Sequence, residues 1–450
     1  MNNFKDLITA VFNIDDSRIE SFKSEITKSE DGEELVCFYI KFQKQSGLVC
    51  PVCGQQLTSN GSKKKPVNHQ VLTNRHVKLI YDARRYRCYH CGHSEFEKNP
   101  FSLPGFSVSI LTMDNIMRDL HNPRYNYTMI AQKYHISVTQ VITYLDSFVV
   151  VPMLDLPENM GIDEIHSNMA KRRNAKYLGV IIDNDHFNLI DILPSRNKTD
   201  LNNFFQNYSK EARDKVKYVT IDMWEPYKDV ATHWLKSATI AVDPFHVVEH
   251  LMNDFRKIRV RIMKQCPYGS NGYYLLKSWH KLLESDDYNW DGEGQYNHVL
   301  HKKLNYGQLR DLALEVSDEL RLAYNLKEMY RRFNKKCTYD NAEKELDILI
   351  KAFQLSNIPE YKEFYDLLIH WKQEIINSFI IAEATDNRLS NAKTESMNNL
   401  LKDYIKVSNG LANFRRFRKR MLFCFNDRVY YAITAKLSSL KRDFKNSQSK

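Results

Sequence analysis

The run Met160-Gly161-Ile162-Asp163-Glu164-Ile165 decides the fold, because it opens a series of short apolar segments whose order is informative. Tyr177 to Ile182 and Asn188 to Leu193 follow it, each rich in β-branched residues and bounded by polar turn residues, and each reads as a strand. The period then changes. Leu201 to Tyr208 has helical spacing, Val216 to Ile221 reads as a fourth strand, Tyr227 to Leu235 as a helix and Ala238 to Val242 as a fifth strand.

Three strands followed by alternating helix and strand is the order of an RNase H-like α/β catalytic domain. In that topology the first and fourth strands are central neighbours, so Asp163 on the first and Asp222 at the carboxyl end of the fourth face each other. A third carboxylate lies far downstream, in Ser390-Asn391-Ala392-Lys393-Thr394-Glu395-Ser396-Met397-Asn398-Asn399-Leu400-Leu401-Lys402. At about 100° per residue this is one helix capped by Ser390. Asn391, Glu395, Asn398, Asn399 and Lys402 share one face, and Met397, Leu400, Leu401 and Tyr404 the other.

An ordinary surface helix explains that pattern taken alone. Joined to two aspartates, it predicts a catalytic trio, Asp163, Asp222 and Glu395, holding two Mg2+ ions about 4 Å apart, with Mn2+ as the substitute. Phosphoryl transfer needs little more, since one ion activates water or a 3′ hydroxyl while the other stabilises the departing oxygen. Arg196 and Lys402 are candidates for phosphate contacts near the scissile bond. Asp243, after the fifth strand, is either a replacement for Asp222 or a supporting carboxylate. His246 is read as touching DNA or the metal site, and Asn391 and Asn398 as polar neighbours of the ligands.

The chain has 450 residues, 43% of them hydrophobic, enough for several cores and, as a soft prior, about three domains. No apolar run approaches the roughly 20 residues of a membrane span, and the first residues lack the apolar core of a signal peptide, so the cytosol is the expected compartment. The net charge of +10 is clustered at Lys63 to Lys65, Arg84 to Arg87, Lys171 to Arg173 and Arg415 to Arg420, which favours a polyanionic partner.

Four of the eight cysteines form Cys50-Pro51-Val52-Cys53 and Cys88-Tyr89-His90-Cys91, the spacing of two knuckles that share one tetrahedral Zn2+. Free buried thiols are the bland alternative. Arg84, Arg85 and Arg87, interleaved with Tyr86 and Tyr89, suit a nucleic-acid backbone, or a solvated strand face. Residues 127–145 read as helix, tight turn, helix, with Ile130, Ala131, Tyr134, Ile136, Val141, Ile142 and Leu145 as core. Ser137 would cap a recognition helix exposing Thr139, Gln140, Thr143 and Tyr144, with Gln140 facing an adenine edge.

The expected order is a helix near 7–12 and a hairpin (1–45), a zinc ribbon (46–100), a helix-turn-helix (105–150), a catalytic domain (155–250 and 376–425) interrupted by an α-helical insertion (251–375), and a basic tail (426–450).

Gly161-Ile162-Asp163-Glu164, Asp222-Met223-Trp224-Glu225-Pro226-Tyr227, Val242-Asp243-Pro244-Phe245-His246-Val247-Val248, Ser390-Asn391 through Glu395, Asn398 to Lys402 and Gly410 through Arg420 occur in an order that resembles a bacterial insertion-sequence transposase of the zinc-ribbon family ISL-three. The resemblance runs from about Cys50 to Arg420. It implies a DDE enzyme with Asp163, Asp222 and Glu395 as metal ligands, an N-terminal region that binds double-stranded DNA at terminal inverted repeats, action on target DNA as a homo-oligomer, and a place in the bacterial cytoplasm at the nucleoid; Arg418 and Arg420, near the other end of the chain, are further candidates for DNA contact. Ala392 and Ser396 stand where the family often has Gly. A non-catalytic DNA-binding regulator and a structure-selective nuclease are the alternative readings.

Overall fold

The computed structural model describes residues 18–29, 32–70, 76–173, 175–285, 287–408 and 413–433, with only the backbone at 171–173. The expected helix at 7–12, the side chains of the 171–173 cluster, residues 410–412 and the tail from 434 lie outside them. The chain forms two compact units, residues 1–154 with 401–450, and residues 155–400.

In the first unit, period-2 alternation makes β1 (Ile19–Lys28) and β2 (Glu34–Phe42) the expected antiparallel hairpin. β3 (Thr58–Asn68), β4 (His76–Arg87) and β5 (Ser94–Phe96) complete a sheet of order β1-β2-β4-β3, with β5 on β4. β4 serves two cores through its two faces. Tyr81 and Ala83 pack with Ile40, Phe42, Val67, Leu79 and Phe101, whereas Tyr86 and Cys88, of opposite parity, pack with Cys50 and Leu57.

Three helices follow, α1 (Ile110–His121), α2 (Tyr127–Lys133) and α3 (Val138–Phe148). Ser137 caps α3 as expected, in a capping box whose other half is the Gln140 side chain. The turn between α2 and α3 passes through His135 at φ 47°, the conformation for which glycine is the usual choice. Of the expected core, Ile130, Ala131, Tyr134, Val141 and Leu145 are buried. Tyr144 is not on the exposed face predicted for it. It is 1% exposed, against Phe106 and Phe148, because Val141, Tyr144, Leu145 and Phe148 form one i, i+3, i+4, i+7 stripe.

The helix Phe414–Phe425 also departs from expectation. Arg420 belongs to the cluster expected to meet a polyanion, but it shares a stripe with Phe417 and Met421 and is wholly buried. Its Nη2 donates to the carbonyls of Asp119, Asn122 and Tyr125 at 3.4, 3.2 and 3.1 Å, at and just beyond the end of α1, where Asp119 and Asn122 also accept backbone N–H groups. Arg420→Ala should therefore destabilise the protein by about 2–5 kcal/mol, since a wholly buried side chain is lost together with its charged donor to three part-buried carbonyls. An unchanged urea midpoint accompanied by weaker DNA binding would return Arg420 to the surface role.

In the second unit β6 (Asn159–His166), β7 (Tyr177–Asp183) and β8 (Asn188–Leu193) form an antiparallel meander. After α4 (Lys198–Gln206), β9 (Tyr218–Ile221) pairs parallel to β6, and after α5 (Glu225–Trp234), β10 (Thr239–Val242) pairs parallel to β9. The sheet order is β10-β9-β6-β7-β8.

α6 (Pro244–Gln265) opens a largely helical region that includes α7 (Asp318–Lys336), Tyr339–Ser356 and Tyr361–His370. A small hairpin, Gln295–Asn297 with Lys302–Leu304, sits among them. One apolar core joins this helical region to the sheet: Ile221 and Val242 belong to the same cluster as Phe255, Tyr330 and Phe364. The helix Ala392–Val407 begins in this unit. Among the described residues no helix is long and apolar enough to cross a membrane.

Candidate active site and cysteine centre

The parallel register pairs Ile162 with Ile221 and Ile221 with Val242. One residue further along each strand come Asp163, Asp222 and Asp243, so three aspartates stand side by side where β9 and β10 end, with β6 continuing past Asp163 to His166. Asp222 is the middle one, on the strand that adjoins β6, and Asp243 lies one strand beyond.

Asp163 is held at both oxygens. Oδ1 accepts the Glu164 N–H at 2.7 Å and Oδ2 accepts Asn398 Nδ2 at 2.8 Å. Asp222 Oδ1 is buried without a partner. Asp163, Glu164 and Asp222 bring carboxylate oxygens within 4.8 Å of one another. Burial, reinforced by the Glu164 charge, pushes Asp163 up to about 6, and burial with the charges of Glu164 and Asp163 pushes Asp222 up to about 7. Like charges packed this closely resist ionising together, and a cation among them would relieve that repulsion.

Glu164 was quoted at the sequence level without a role. Its Oε2 accepts the Tyr227 hydroxyl at 2.7 Å and its Oε1 pairs with Arg196. Arg196 also stacks on Tyr177 and Trp224, at 4.5 and 4.3 Å to the ring centres, so this proposed phosphate contact is already held by three neighbours.

Glu395 falls in a second group, with Asp243 and His246, whose ligand atoms likewise lie within 4.8 Å of one another. His246 Nε2 is 4.0 Å from both Asp243 Oδ2 and Glu395 Oε1. Burial opposes the imidazolium, but Asp243, Asp163 and Asp222 together raise its pKa. Asp243 is 2% exposed, and its Oδ1 accepts the Asn391 N–H at 3.0 Å, which ties the strand end to the start of the Glu395 helix.

That helix begins at Ala392, and its first turn closes from Glu395 N–H to Asn391 C=O at 2.8 Å. Met397, Leu401 and Tyr404 are buried as expected, whereas Leu400 is exposed. Its second buried face is polar. Asn391 Nδ2 donates to Ile162 C=O at 3.3 Å, Thr394 Oγ1 to Asn184 Oδ1 at 3.3 Å, and Asn398 to Asp163. The helix crosses the sheet closely because Gly161 has no side chain there: a Cβ at that position would collide with Thr394 Oγ1 and touch the Asn184 amide. Thr394 and Gly161 went unrecognised at the sequence level, and the i, i+3, i+7 spacing of Asn391, Thr394 and Asn398 was the signal available.

In the first unit, Cys50, Cys53, Cys88 and Cys91 bring their sulfurs within 4.8 Å of one another, with Cys50 to Cys91 at 3.5 Å and Cys53 to Cys88 at 3.4 Å. The two knuckles are built alike. Cys50 N–H donates to Gln55 C=O and Gly54 N–H to Cys50 C=O; Cys88 N–H donates to His93 C=O and Gly92 N–H to Cys88 C=O. Amides of Cys91 and His90 hold the Cys88 thiol down at about 6.

Arg85 and Arg87 are exposed nearby, but Arg84 is turned inward to Glu20 and to Phe42 C=O. On α3, Thr139 is exposed, Thr143 spends its hydroxyl on Thr139 C=O at 2.8 Å, and Gln140 Oε1 accepts the Ser137 N–H at 3.1 Å. Lys402 is exposed and Arg418 half-buried.

A sheet that gathers aspartates along its central parallel strands, backed by a helix bearing Glu395, defines an α/β protein with a carboxylate centre suited to cations. A family model described as a transposase, the ISL3 (ISL-three) group of DDE transposases, matches residues 160–421, and the chain belongs to that family. The transposase for insertion sequence element IS1557 of Mycobacterium tuberculosis, from strains CDC 1551 / Oshkosh and ATCC 25618 / H37Rv, is 34% identical over 89 residues. That match covers 20% of this chain and 19% of the relative.

Proposed function

We propose that the protein is a transposase that binds the terminal inverted repeats of an insertion sequence and cleaves and joins DNA strands at Asp163, Asp222 and Glu395. The observation that carries this reading is the pairing of Asp163 and Asp222 on adjacent parallel strands, with a buried Asp222 oxygen that lacks a protein partner. The β10-β9-β6-β7-β8 order supports an RNase H-like catalytic domain. Two divalent cations, Mg2+ or Mn2+, would supply nucleophile activation and neutralisation of charge on the transferring phosphoryl group.

The residues present fit oxygen-seeking cations, since a buried carboxylate oxygen without a partner is costly unless a ligand satisfies it. Asn398 orients Asp163, Asn391 and Asp243 anchor the helix that presents Glu395, and Tyr227 with Arg196 fix Glu164 beside the pair. Asp222 is preferred to Asp243 as the second ligand because its strand adjoins β6. Incubating the protein with Mg2+ and DNA bearing the element's inverted repeats, then mapping nicks and joined products, tests the reading. A nuclease would cut without regard to end sequence and join nothing, and a regulator would bind without cutting.

The four cysteines fit one structural Zn2+, because tetrahedral bonds of about 2.3 Å place sulfurs about 3.8 Å apart, close to the separations found. End recognition is assigned to the N-terminal ribbon and the α2–α3 pair, with the protein acting as at least a dimer on DNA. Arg85→Ala and Arg87→Ala should each weaken all DNA about equally and lower the salt slope by about 1. Gln140→Glu keeps the capping box but removes the amide donor, so it should change sequence preference while sparing stability. Unchanged preference in a competition assay would leave Gln140 with its capping role and the bond from its amide to Ser107 Oγ at 3.4 Å.

A further inference from the structure

Beside Glu395 lies a cavity of about 450 Å3 whose walls include Asp243, Phe245, Val248, Asn334, Lys335 and Glu395. Its size falls in the range of about 300–1,000 Å3 typical of pockets for small ligands. Three features of the wall are chemically distinct. Phe245, the second residue of α6, is 59% exposed although it sits at the lip of a buried carboxylate group. From the end of α7, Arg331 and Lys335 line the cavity, Arg331 bonded to Glu328 at 3.3 Å. Asp243 and Glu395 make the inner wall acidic.

An exposed phenylalanine alone needs no explanation. A ring at the mouth of a cavity, with cations on one side and carboxylates on the other, does select an occupant. In the metal-free site a phosphate would be repelled by the inner wall and attracted to α7, whereas a neutral base with a flat π-face is tolerated beside the carboxylates and can stack on the ring. We propose that this cavity receives one unstacked nucleobase of the DNA strand flanking the site of cleavage, its face on Phe245 and its attached phosphate toward Lys335. The proposal rests on the transposase reading, and it makes Phe245 a substrate-positioning residue that the carboxylate trio does not include.

The test uses the full chain and end DNA in which single 5-iodouracil substitutions are scanned through the nucleotides flanking the cut. Irradiation without metal should give a cross-link at one position, to the peptide containing Phe245, and Phe245→Ala should lose it. With Mg2+, Phe245→Ala should slow cleavage of ordinary ends roughly ten- to a hundred-fold, the range expected for one lost base–aromatic stack. An abasic nucleotide at the cross-linking position should restore most of that loss, because no base then needs a seat.

No cross-link at any flanking position, a cross-link mapped elsewhere, or a Phe245→Ala variant that cleaves like the parent would overturn the pocket while leaving the carboxylate reading intact. A parent protein that cleaves no end DNA would overturn the transposase reading instead, and the cross-link, read without metal, would still decide whether a base occupies the cavity.

Discussion

Replacing Asp163, Asp222 or Glu395 singly by Ala is expected to lower strand cleavage and joining by roughly a thousand-fold or more while leaving affinity for the end DNA nearly unchanged. The cause is electrostatic, since each carboxylate would help to hold a cation that neutralises charge on the transferring phosphoryl group, and loss of any one collapses a shared site. The effects should not add, so the double variant Asp163→Ala/Asp222→Ala should be no worse than either single one. Binding need not fall, because removing a negative charge relieves repulsion toward phosphate.

Asp243→Ala is the informative comparison. Its Oδ1 anchors the Asn391 N–H at the start of the Glu395 helix, so it should reduce cleavage through misplacement of Glu395 and also lower the unfolding midpoint. A dead Asp243→Ala protein of normal stability, beside an Asp222→Ala protein that still cleaves, would transfer the second ligand to Asp243. Normal cleavage by all four single variants would sink the proposed function.

The second large effect concerns the cysteines. Protein purified without chelator is expected to carry about one equivalent of zinc, and Cys88→Ser should lose it together with the folded knuckles, since a structural zinc site supplies about 10–16 kcal/mol in small zinc modules. Cys88 is the sharpest choice because it is fully buried and already receives backbone amide donors. Less than half an equivalent of zinc in the parent, or a Cys88→Ser variant whose thermal unfolding matches the parent, would remove the metal from this centre. The family match begins at residue 160, so it does not reach the knuckles, and this prediction stands on their geometry alone.

Much of the second unit was legible in the sequence because its elements are written in local periodicity. β6, β7, β8, β9 and β10 fall where alternating or apolar runs placed them, with ends shifted by a residue or two. The same holds for the hairpin of β1 and β2 and for Ser137 as the cap of α3. Asp163 and Asp222 could be paired before the structure was seen because chain order constrains which strands become neighbours.

What the sequence by itself determined, then, were the elements, the adjacency of Asp163 and Asp222, and the two cysteine knuckles, all of which depend on spacing within a short stretch or on simple rules of sheet connection. Only the tertiary structure decided which face of each element would be covered. A local pattern assigns Arg420 to a basic surface and Tyr144 to a recognition face, but burial depends on partners distant in sequence: the carbonyls of Asp119, Asn122 and Tyr125 for Arg420, and Phe106 for Tyr144. The same is true of the active site. That Glu395 stands with Asp243 and His246, and that the helix carrying it approaches β6 closely enough for Asn398 to hold Asp163, follows from the missing side chain at Gly161 meeting Thr394 more than 200 residues later. No periodicity records such a contact, because it exists only once packing has brought the two segments together.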